Sequence, residues 1–519
     1  MKATQPLHRS ATTTPNVIAT IMGDRKRTWG EVRNRVARLA GALQKMGVGK
    51  GDRVGILALN SDRYLEFYFA VWWTGGAVVP MNLRWSPAEN AYSLNDSNAK
   101  ILFTDRAFTP AIPAIQAEAK DLETLVFLDD GDVPEGMLAY EDLIASNEPV
   151  ADASGSGDDM AGIFYTGGTT GFPKGVVLPH RAIWFNGMAC SKLFHIEAGD
   201  KYLHIAPMFH LADGAGSLAT SMVGATHVFE PMFTPAGAIA ACENYKPTHA
   251  LMVPTMIGMV LADPSFSVDK LSSIKTLIYG ASPMPEGLLI QTLKTLPSIG
   301  LVQGYGQTEL APIASVMPAA YHVLEGDKSG KLRSAGLPAY GVTIRIADED
   351  GNDVPRGEVG EIVVSGPGTM TEYWNRPEET AAVLKDGEVY TGDGAYMDED
   401  GFVFIVDRLK DMIITGGENV FSAEVENTLS NHPAVAGAVV IGIPSEKWGE
   451  AVHAIVIKKE GAEVTDQALM DFCKEHIANY KIPRSVEFRT EPFPLSGAGK
   501  IMKKDLREPY WKGHGRGVA

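Results

Sequence analysis

The chain has 519 residues, 45% of them hydrophobic, so it can bury large cores and is expected to form two or more domains. Its formal net charge of -17 argues against a nucleic-acid-binding surface and against lasting attraction to anionic lipid. The three cysteines, Cys190, Cys242 and Cys473, lack metal-ligand spacing, which is typical of buried thiols in a reducing compartment.

Neither a signal peptide nor a membrane span is expected. Residues 1–15 contain no apolar segment of the kind that signal peptides carry. The most lipophilic stretch, 67–73, is too short to cross a bilayer. These features predict a cytoplasmic protein without a transmembrane segment.

The first half of the chain alternates between helical and strand patterns. Thr28-Trp-Gly-Glu31 is a capping box, and apolar residues follow it at helical spacing, which predicts an amphipathic helix ending at Gly47. Short apolar runs bounded by turn residues predict buried strands at 54–59, 77–81, 101–105, 125–129, 201–207, 226–230, 249–254 and 276–280. Because helical stretches separate these runs, the pattern favours a doubly wound α/β fold.

The pattern changes after Gly336. Segments punctuated by Gly and Asp predict antiparallel, barrel-like strands at 342–347, 360–365 and 401–406. A helix at 422–430 and strands at 439–443 and 452–458 then predict an α+β unit. We therefore expect a large N-terminal domain, residues 1–406, of doubly wound α/β subdomains plus a β-barrel-like subdomain. A small mobile α+β C-terminal domain, residues 407–519, should follow.

The segment from Tyr165 to Gly175, Y-T-G-G-T-T-G-F-P-K-G, has the composition of a phosphate cradle. Glycines let backbone N–H groups turn toward an anion, threonines add hydroxyl donors, and Lys174 adds a positive charge. Strand patterns flank the segment on both sides, so it differs from the Walker loop, which runs from a strand into a helix. The alternative is a mobile surface loop.

Four further motifs carry chemical groups, and each also has a simpler interpretation. Gly304-Tyr-Gly-Gln-Thr-Glu309 offers an aromatic face, a hydroxyl and a carboxylate, but could be an ordinary loop. Tyr390-Thr-Gly-Asp393 could bind two ribose hydroxyls or form a simple β-turn. The stretch 406–419 contains Asp407, Arg408 and a glycine pair. In Pro494-Leu-Ser-Gly-Ala-Gly-Lys500, the lysine could be only a solvated charge.

Together these five motifs resemble those of the adenylate-forming superfamily, which includes acyl-CoA synthetases, peptide-synthetase adenylation domains and beetle luciferases. They occur in the family's order over essentially the whole chain. One departure is Gly167, where the family usually has serine, so one hydroxyl donor to the phosphates is missing.

The resemblance implies a role for each matching residue. It implies that ATP or AMP is bound by Thr166, Gly167, Gly168, Thr169, Thr170, Gly171, Lys174, Gly280, Ala281, Ser282, Gln303, Gly304, Tyr305, Gly306, Thr308, Asp393, Arg408 and Lys500. It assigns Mg²⁺ to Glu309 and Thr166, and catalysis to Lys500, His210, Thr308 and Glu309. Asp407 matches the family's interdomain hinge, and Gly416 and Gly417 match its passage for CoA.

The implied activity is an ATP-dependent carboxylic acid:CoA ligation. The acid would first form an acyl-adenylate with release of pyrophosphate, and the CoA thiol would then displace AMP to give a thioester. The expected partners are a small-molecule carboxylic acid, ATP and coenzyme A, with Mg²⁺ as cofactor and no nucleic acid. The sequence leaves the oligomeric state open, a homodimer included.

Family position places the acyl pocket at Trp184, Phe209, His210, Gly214, Met252, Tyr279 and Gly280. His210 could close over the acyl group or be a packed core imidazole. Ala212, Gly214, Ala215 and Gly216 are small, which predicts room for a fatty or aryl acid larger than acetate.

Two rival activities stay open at this point. One is an adenylating enzyme that loads a separate acyl carrier protein. The other is a non-catalytic nucleotide-binding relative with the same fold. The glycine pair at 416–417 and the absence of a carrier domain after Lys500 favour the CoA ligase.

Overall fold

The computed structural model of the chain describes residues 1–166, 173–496 and 501–512. The α-helices in this part are α1 (Gln5–Thr13), α2 (Trp29–Lys45), α3 (Asp62–Thr74), α4 (Pro87–Ser97), α5 (Ile112–Glu118), α6 (Tyr140–Ala145), α7 (His180–Leu193), α8 (Leu211–Val223), α9 (Pro235–Tyr245), α10 (Pro254–Ala262), α11 (Glu286–Thr295), α12 (Pro377–Val383), α13 (Ser422–Ser430), α14 (Asp466–His476) and α15 (Lys503–Trp511). None of the helices described here is long and apolar enough to cross a membrane.

The strands in the first half of the chain are β1 (Ile18–Met22), β2 (Arg25–Thr28), β3 (Arg53–Leu57), β4 (Ala77–Pro80), β5 (Ile101–Thr104), β6 (Thr124–Phe127), β7 (Met137–Ala139), β8 (Met160–Thr166), β9 (Lys174–Pro179), β10 (Lys201–His204), β11 (Thr226–Phe229), β12 (His249–Met252) and β13 (Thr276–Gly280). Those in the second half are β14 (Gly300–Gly306), β15 (Ile313–Met317), β16 (Leu337–Pro338), β17 (Thr343–Ala347), β18 (Gly360–Ser365), β19 (Glu372–Tyr373), β20 (Leu384–Lys385), β21 (Glu388–Met397), β22 (Val403–Arg408), β23 (Ile413–Thr415), β24 (Glu418–Val420), β25 (Val435–Ser445), β26 (Gly449–Lys458) and β27 (Ser485–Phe488).

Two large sheets with parallel cores form the first part of the fold. One has the order β19-β9-β8-β4-β3-β5-β6-β7, and it is parallel from β8 to β7. The other has the order β16-β15-β14-β13-β12-β10-β11-β1-β2, and it is parallel from β14 to β1. The doubly wound α/β prediction is therefore confirmed.

Helix α3 lies at the centre of the first core. All of its residues, including Asp62 and Glu66, are buried, and Phe67 and Trp72 belong to a cluster that also includes residues of α2, α7 and α8. A helix buried on every side is expected where two layers pack against it. Helix α2 begins at the predicted capping box, in which Thr28 and Glu31 exchange side-chain to backbone hydrogen bonds.

The remaining strands form two smaller sheets. The order β17-β18-β21-β20, with β22 beside β21, is antiparallel as predicted. The last sheet, β24-β23-β26-β25 with β27 beside β26, packs with α13 and α14 into the predicted α+β unit. The domain boundary at 406–407 stays a prediction, and β22 runs across it to Arg408.

Parallel strands bring the motifs to common sheet edges. β4 and β8 are parallel neighbours, so they end at the same edge of the sheet, where the glycine loop begins after Thr166. β13 and β14 are also parallel neighbours, so Gly280 lies beside Gly304. Ligands of open α/β sheets bind outside the carboxyl ends of such strands.

Candidate active site

The two ends of the glycine loop are paired strand residues. Thr166 ends β8 and pairs with Lys174, the first residue of β9, in an antiparallel ladder. The predicted phosphate ligands Gly167, Gly168, Thr169, Thr170 and Gly171 lie outside the described residues. The antiparallel flanks confirm that the loop joins two strands, unlike a Walker loop.

Lys174, Tyr373 and Glu309 form a connected cluster beside this loop. The Lys174 Nζ lies 5.1 Å from the centre of the Tyr373 ring, within the range of a cation–π contact. The Tyr373 hydroxyl donates a 2.6 Å hydrogen bond to Oε1 of Glu309. Burial and the Glu309 charge raise the pKa of Tyr373, so this hydroxyl stays protonated and donates. The tyrosine therefore connects the cationic and anionic groups that were predicted separately.

The fold fixes the position of Glu309 tightly. Glu309 lies in a short 3₁₀ turn, Thr308–Leu310, directly after β14, and its exposed fraction is 9%. Its carbonyl accepts a hydrogen bond from the amide of Met370, two residues before β19. β19 in turn pairs with β9, which begins at Lys174. The turn and the strand that carries Tyr373 are thus held in one framework.

A second cluster contains Tyr305, Asp393 and Arg408. The Tyr305 hydroxyl donates a 2.7 Å hydrogen bond to Oδ2 of Asp393. The Nε of Arg408 lies 3.0 Å from Oδ1 of the same carboxylate. Asp393 and Arg408 are register partners in the β21–β22 ladder, so backbone pairing brings them together. The carboxylate is 7% exposed and has a partner on each oxygen.

Two glycines in this region are required by close backbone approach. A Cβ at Gly280 would lie 2.2 Å from the carbonyl oxygen of Gly304, and one at Gly306 would lie 1.7 Å from that of Pro312. Ala281 follows β13 with a φ of 64°, in the left-handed region. Ser282 is half-buried next to it. The small residues at these positions allow the backbone segments of the predicted nucleotide site to pack closely against each other.

The predicted acyl-pocket residues divide into two groups. His210 caps α8 through its Nδ1, which accepts a 3.1 Å hydrogen bond from the amide of Ala212. Phe209 stands edge-on to it, with ring centres 6.3 Å apart. Gly214 lies one turn into the same helix, and among the described residues a Cβ there would meet only Leu211, at 3.3 Å. These residues lie in the first turn of α8 or directly before it.

The other predicted pocket residues have defined packing partners. The Tyr279 hydroxyl lies 2.8 Å from Nε2 of His322 and 3.3 Å from Oε1 of Gln303. Met252 is 3% exposed at the end of β12. Trp184 lies on α7 and donates a 3.1 Å hydrogen bond to Gln5 of α1. None of these contacts involves the first turn of α8.

Not all the small residues of α8 leave free space. A Cβ at Gly216 would lie 2.1 Å from the ring of Tyr202, so this glycine is required by packing on β10. Ala215 is buried in the cluster between α7 and the sheet. Of the small residues in this helix, Gly214 therefore gives the clearest support for a roomy acyl site.

The residues predicted for the hinge and the CoA passage follow β22. Asp407 is 8% exposed, and its carboxylate bonds to the amide and hydroxyl of Ser422. Gly416 and Gly417 have φ values of 62° and 86°, which suit glycine. The amide of Gly416 donates to the carbonyl of Trp448 at 2.8 Å, and a Cβ there would lie 3.0 Å from the indole ring.

The residues are compatible with Mg²⁺ held largely by a ligand's phosphates. Within the described ranges, no group of three His, Cys, Asp or Glu could hold a metal ion. Glu309 supplies one hard carboxylate, with Oε1 oriented by Tyr373. Mg²⁺ commonly takes one or two protein carboxylates together with phosphate oxygens and water.

Sequence reasoning did not single out Tyr373 or Trp448, which contact the predicted site residues Glu309 and Gly416. Tyr373 lies in a Glu-Tyr-Trp segment without a glycine signal, far along the chain from Lys174 and Glu309. Trp448 lies between two long strands, next to Gly449. A tryptophan directly before a glycine, between two strand patterns, is a sequence signal that could have drawn attention to Trp448.

Comparison with known proteins agrees with this geometry. Residues 7–374 match the sequence model of the AMP-binding enzyme, and residues 424–500 match that of the AMP-binding enzyme C-terminal domain. The feruloyl-CoA synthase of Amycolatopsis sp is 38% identical over 503 residues, covering 97% of this chain and 98% of that protein. The fatty acid–[acyl-carrier-protein] ligase ScoC of Streptomyces coeruleorubidus is 35% identical, covering 97% and 95%.

A solved structure supports the same assignment. The crystal structure of the anthranilate CoA ligase AuaEII in complex with anthranoyl-AMP superposes with a TM-score of 0.91 at 28% identity, covering 99% of this chain and 98% of that one. The resemblance drawn from the five motifs is therefore confirmed. The chain belongs to the AMP-binding enzyme family.

Proposed function

We propose that this enzyme is an AMP-forming carboxylic acid:CoA ligase that activates a fatty or aryl acid larger than acetate. The prediction of an acid–thiol ligase is confirmed at the level of enzyme class by its curated relatives. The structural observation that carries the proposal is the Asp393 carboxylate, which accepts a hydrogen bond from Tyr305 and forms an ion pair with Arg408. A carboxylate held in this way can accept both hydroxyls of a ribose beside an aromatic platform.

The first half-reaction joins the acid to AMP. A carboxylate is a poor acyl donor because its oxygen leaves poorly and its charge repels nucleophiles. Lys174, beside Tyr373, supplies positive charge for the departing pyrophosphate, and Glu309 supplies the carboxylate that would hold Mg²⁺. When bound, Mg²⁺ neutralises phosphate charge. Lys500 is proposed to neutralise the attacking carboxylate and the α-phosphate, a role that rests on its sequence motif.

The second half-reaction transfers the acyl group to a thiol. Gly416 and Gly417 have no side chains, so the backbone next to Trp448 is left uncovered. The Trp448 indole is 38% exposed, with the Nζ of Lys447 4.6 Å and the Cζ of Arg484 5.9 Å from the ring. A partly exposed aromatic ring with two cations close to it suits the adenine and phosphates of CoA. We therefore assign Trp448 to the binding of the CoA nucleotide.

The size of the acid follows from the first turn of α8. Gly214 is buried, yet within the described part of the chain a Cβ there would meet a single side chain. Space for a larger acyl group lies next to the His210 cap if this turn borders the substrate. The relatives named above act on feruloyl, fatty and anthranoyl groups, which supports an acid of that size.

An acid panel tests this proposal. We expect pyrophosphate release with MgATP and CoA from medium- and long-chain fatty acids, benzoates or cinnamates, and little release from acetate. Clear preference for acetate or propionate would contradict the proposed pocket. Comparing CoA with a phosphopantetheinylated carrier protein as acceptor separates this function from that of a carrier-loading ligase such as ScoC.

We further propose a cytoplasmic location and leave a homodimer as a prediction. All three cysteines are free and buried, which is typical of proteins in a reducing compartment. Subcellular fractionation tests the location, and sedimentation equilibrium of the purified enzyme tests the dimer.

A further inference from the structure

The hinge carboxylate is anchored in two structural units at once. The backbone of Asp407 belongs to β22 and pairs with Gly394 of β21, in the antiparallel sheet. Its side-chain Oδ2 instead accepts hydrogen bonds from the amide and the hydroxyl of Ser422, the first residue of α13, both at 2.5 Å. If the C-terminal unit rotates about the backbone bonds that follow Asp407, the hydrogen bonds to Ser422 must break, or the Asp407 side chain must move together with that unit.

Lys503 completes the anchor from the other side. Its Nζ donates to the Ser422 hydroxyl oxygen at 2.6 Å and forms an ion pair with Glu426 at 2.8 Å. Glu426 also accepts the amide of Val440 at 2.8 Å. The two charged side chains are 19% and 21% exposed, so water screens their interaction only partly.

The charges of Lys503 and Glu426 balance each other without Asp407. Burial opposes the charge on Lys503, but Glu426 and Asp407 outweigh it and raise the pKa of the amine. Burial also raises the pKa of Glu426, against the effect of Lys503. If Asp407 moved away, Lys503 and Glu426 would still neutralise each other, so the C-terminal unit would not be left with an unpaired charge.

Helix α15 also contacts the chain just past the hinge. Arg507, one turn after Lys503, forms a 3.3 Å ion pair with Asp411. Leu506 between them is 6% exposed and packs in a cluster with residues of β25 and β26. The helix that begins three residues after Lys500 is thus fixed to the C-terminal sheet and to the hinge segment together.

The segment that precedes Lys500 contacts the large domain. Arg84 donates through Nη1 to the carbonyl of Ser496 at 2.8 Å. Arg84 follows β4, whose carboxyl end lies beside that of β8, where the glycine loop begins. Ser496, four positions before Lys500 in the sequence, therefore lies near the proposed phosphate edge.

We infer that Ser422 and Lys503 are positioning residues of the adenylation half-reaction: they hold Asp407 in the orientation in which Ser496 contacts Arg84 of the large domain. The inference rests on the proposed two-step reaction. Both residues act through the hinge carboxylate and touch neither acid nor nucleotide. Releasing this anchor would be part of the change from the first half-reaction to the second.

Separate half-reactions of the full-length enzyme test the inference. Ser422→Ala and Lys503→Met should each slow single-turnover acyl-AMP formation by about tenfold, a usual size for coupling through a positioning contact. Thioester formation from supplied acyl-AMP and CoA should change by no more than about twofold, since that step does not use the anchored orientation. The double variant should resemble the single ones, because both act through one carboxylate.

Two matched variants control for general damage. Lys504→Met removes the exposed neighbouring lysine and should leave both half-reactions unchanged. Lys503→Arg keeps a cation and should restore part of the adenylation rate. Equal loss in both half-reactions, or no loss in either, would overturn the inference.

A distance measurement does not depend on finding the acid. Asp121→Cys and Glu460→Cys place spin labels at exposed sites in the two units, and the native cysteines are buried. The otherwise unchanged enzyme should give one dominant distance, and Ser422→Ala should shift part of the population to a second. Identical distributions would overturn the inference. A shift in an enzyme that adenylates no acid would support the anchor and refute the proposed function instead.

Discussion

Replacing Tyr373 with phenylalanine tests the link between Glu309 and the phosphate site. The change removes the hydroxyl that donates to the Glu309 carboxylate at 2.6 Å, while the ring beside Lys174 is kept. A hydrogen bond to a charged group contributes about 1.5 to 3 kcal/mol, and leaving the buried oxygen unpaired adds to the loss. Because about 1.4 kcal/mol is a factor of ten in rate, adenylation should fall by roughly 10- to 150-fold.

The assay is acid-dependent ATP–pyrophosphate exchange over a range of Mg²⁺ concentrations. The Tyr373→Phe enzyme should need more Mg²⁺ for half-maximal exchange, because the disordered carboxylate holds the ion less well. Tyr340→Phe is the control, since Tyr340 is 60% exposed. Unchanged exchange and an unchanged Mg²⁺ requirement would refute the role assigned to the hydroxyl.

Three further outcomes follow from stability and pocket size. Arg35→Ala removes the 2.8 Å ion pair of the fully buried Glu66, which keeps Tyr140 and Arg27 as partners, and should lower the free energy of unfolding by about 1.5 to 3 kcal/mol. The exposed Arg33→Ala should change it little in urea titrations. Burial lowers the pKa of His322 to about 4, so as the pH falls below 6.5 this histidine takes up its proton in the unfolded chain before it does so in the folded protein. The free energy of unfolding should therefore decline from pH 6.5 to pH 4. His322→Asn should reduce that decline by up to about 1.4 kcal/mol per pH unit. Gly214→Leu should shift the acid preference toward shorter chains in competition assays, and an unchanged preference would place Gly214 outside the pocket.

Helices whose ends are set by neighbouring residues in the sequence were predicted correctly. The capping box at Thr28 fixes the start of α2, and the helix at 422–430 is found at the predicted residues. Strand ends differ from the predictions by a few residues, as at β22, which extends two residues past Val406 to Arg408. That extension depends on pairing with β21, which periodicity within one segment cannot reveal.

The site was predictable where glycine or charge marks a motif, and not where tertiary pairing creates a contact. Asp393 and Arg408 stood out as motif residues, but their ion pair arises from the β21–β22 register. Tyr373 meets Glu309 only because β19 pairs with β9, across almost two hundred positions. The size of Gly216 suggested pocket space, yet the ring of Tyr202 occupies that space.

The most direct test of the proposed function is product analysis of a reaction with MgATP, CoA and the best acid of the panel. We predict equal amounts of acyl-CoA, AMP and pyrophosphate, and Lys500→Ala should suppress formation of the acyl-adenylate. ADP and inorganic phosphate as products would contradict the adenylate route. Acyl-AMP that passes to a carrier protein but never to CoA would contradict the assignment of CoA as the acceptor.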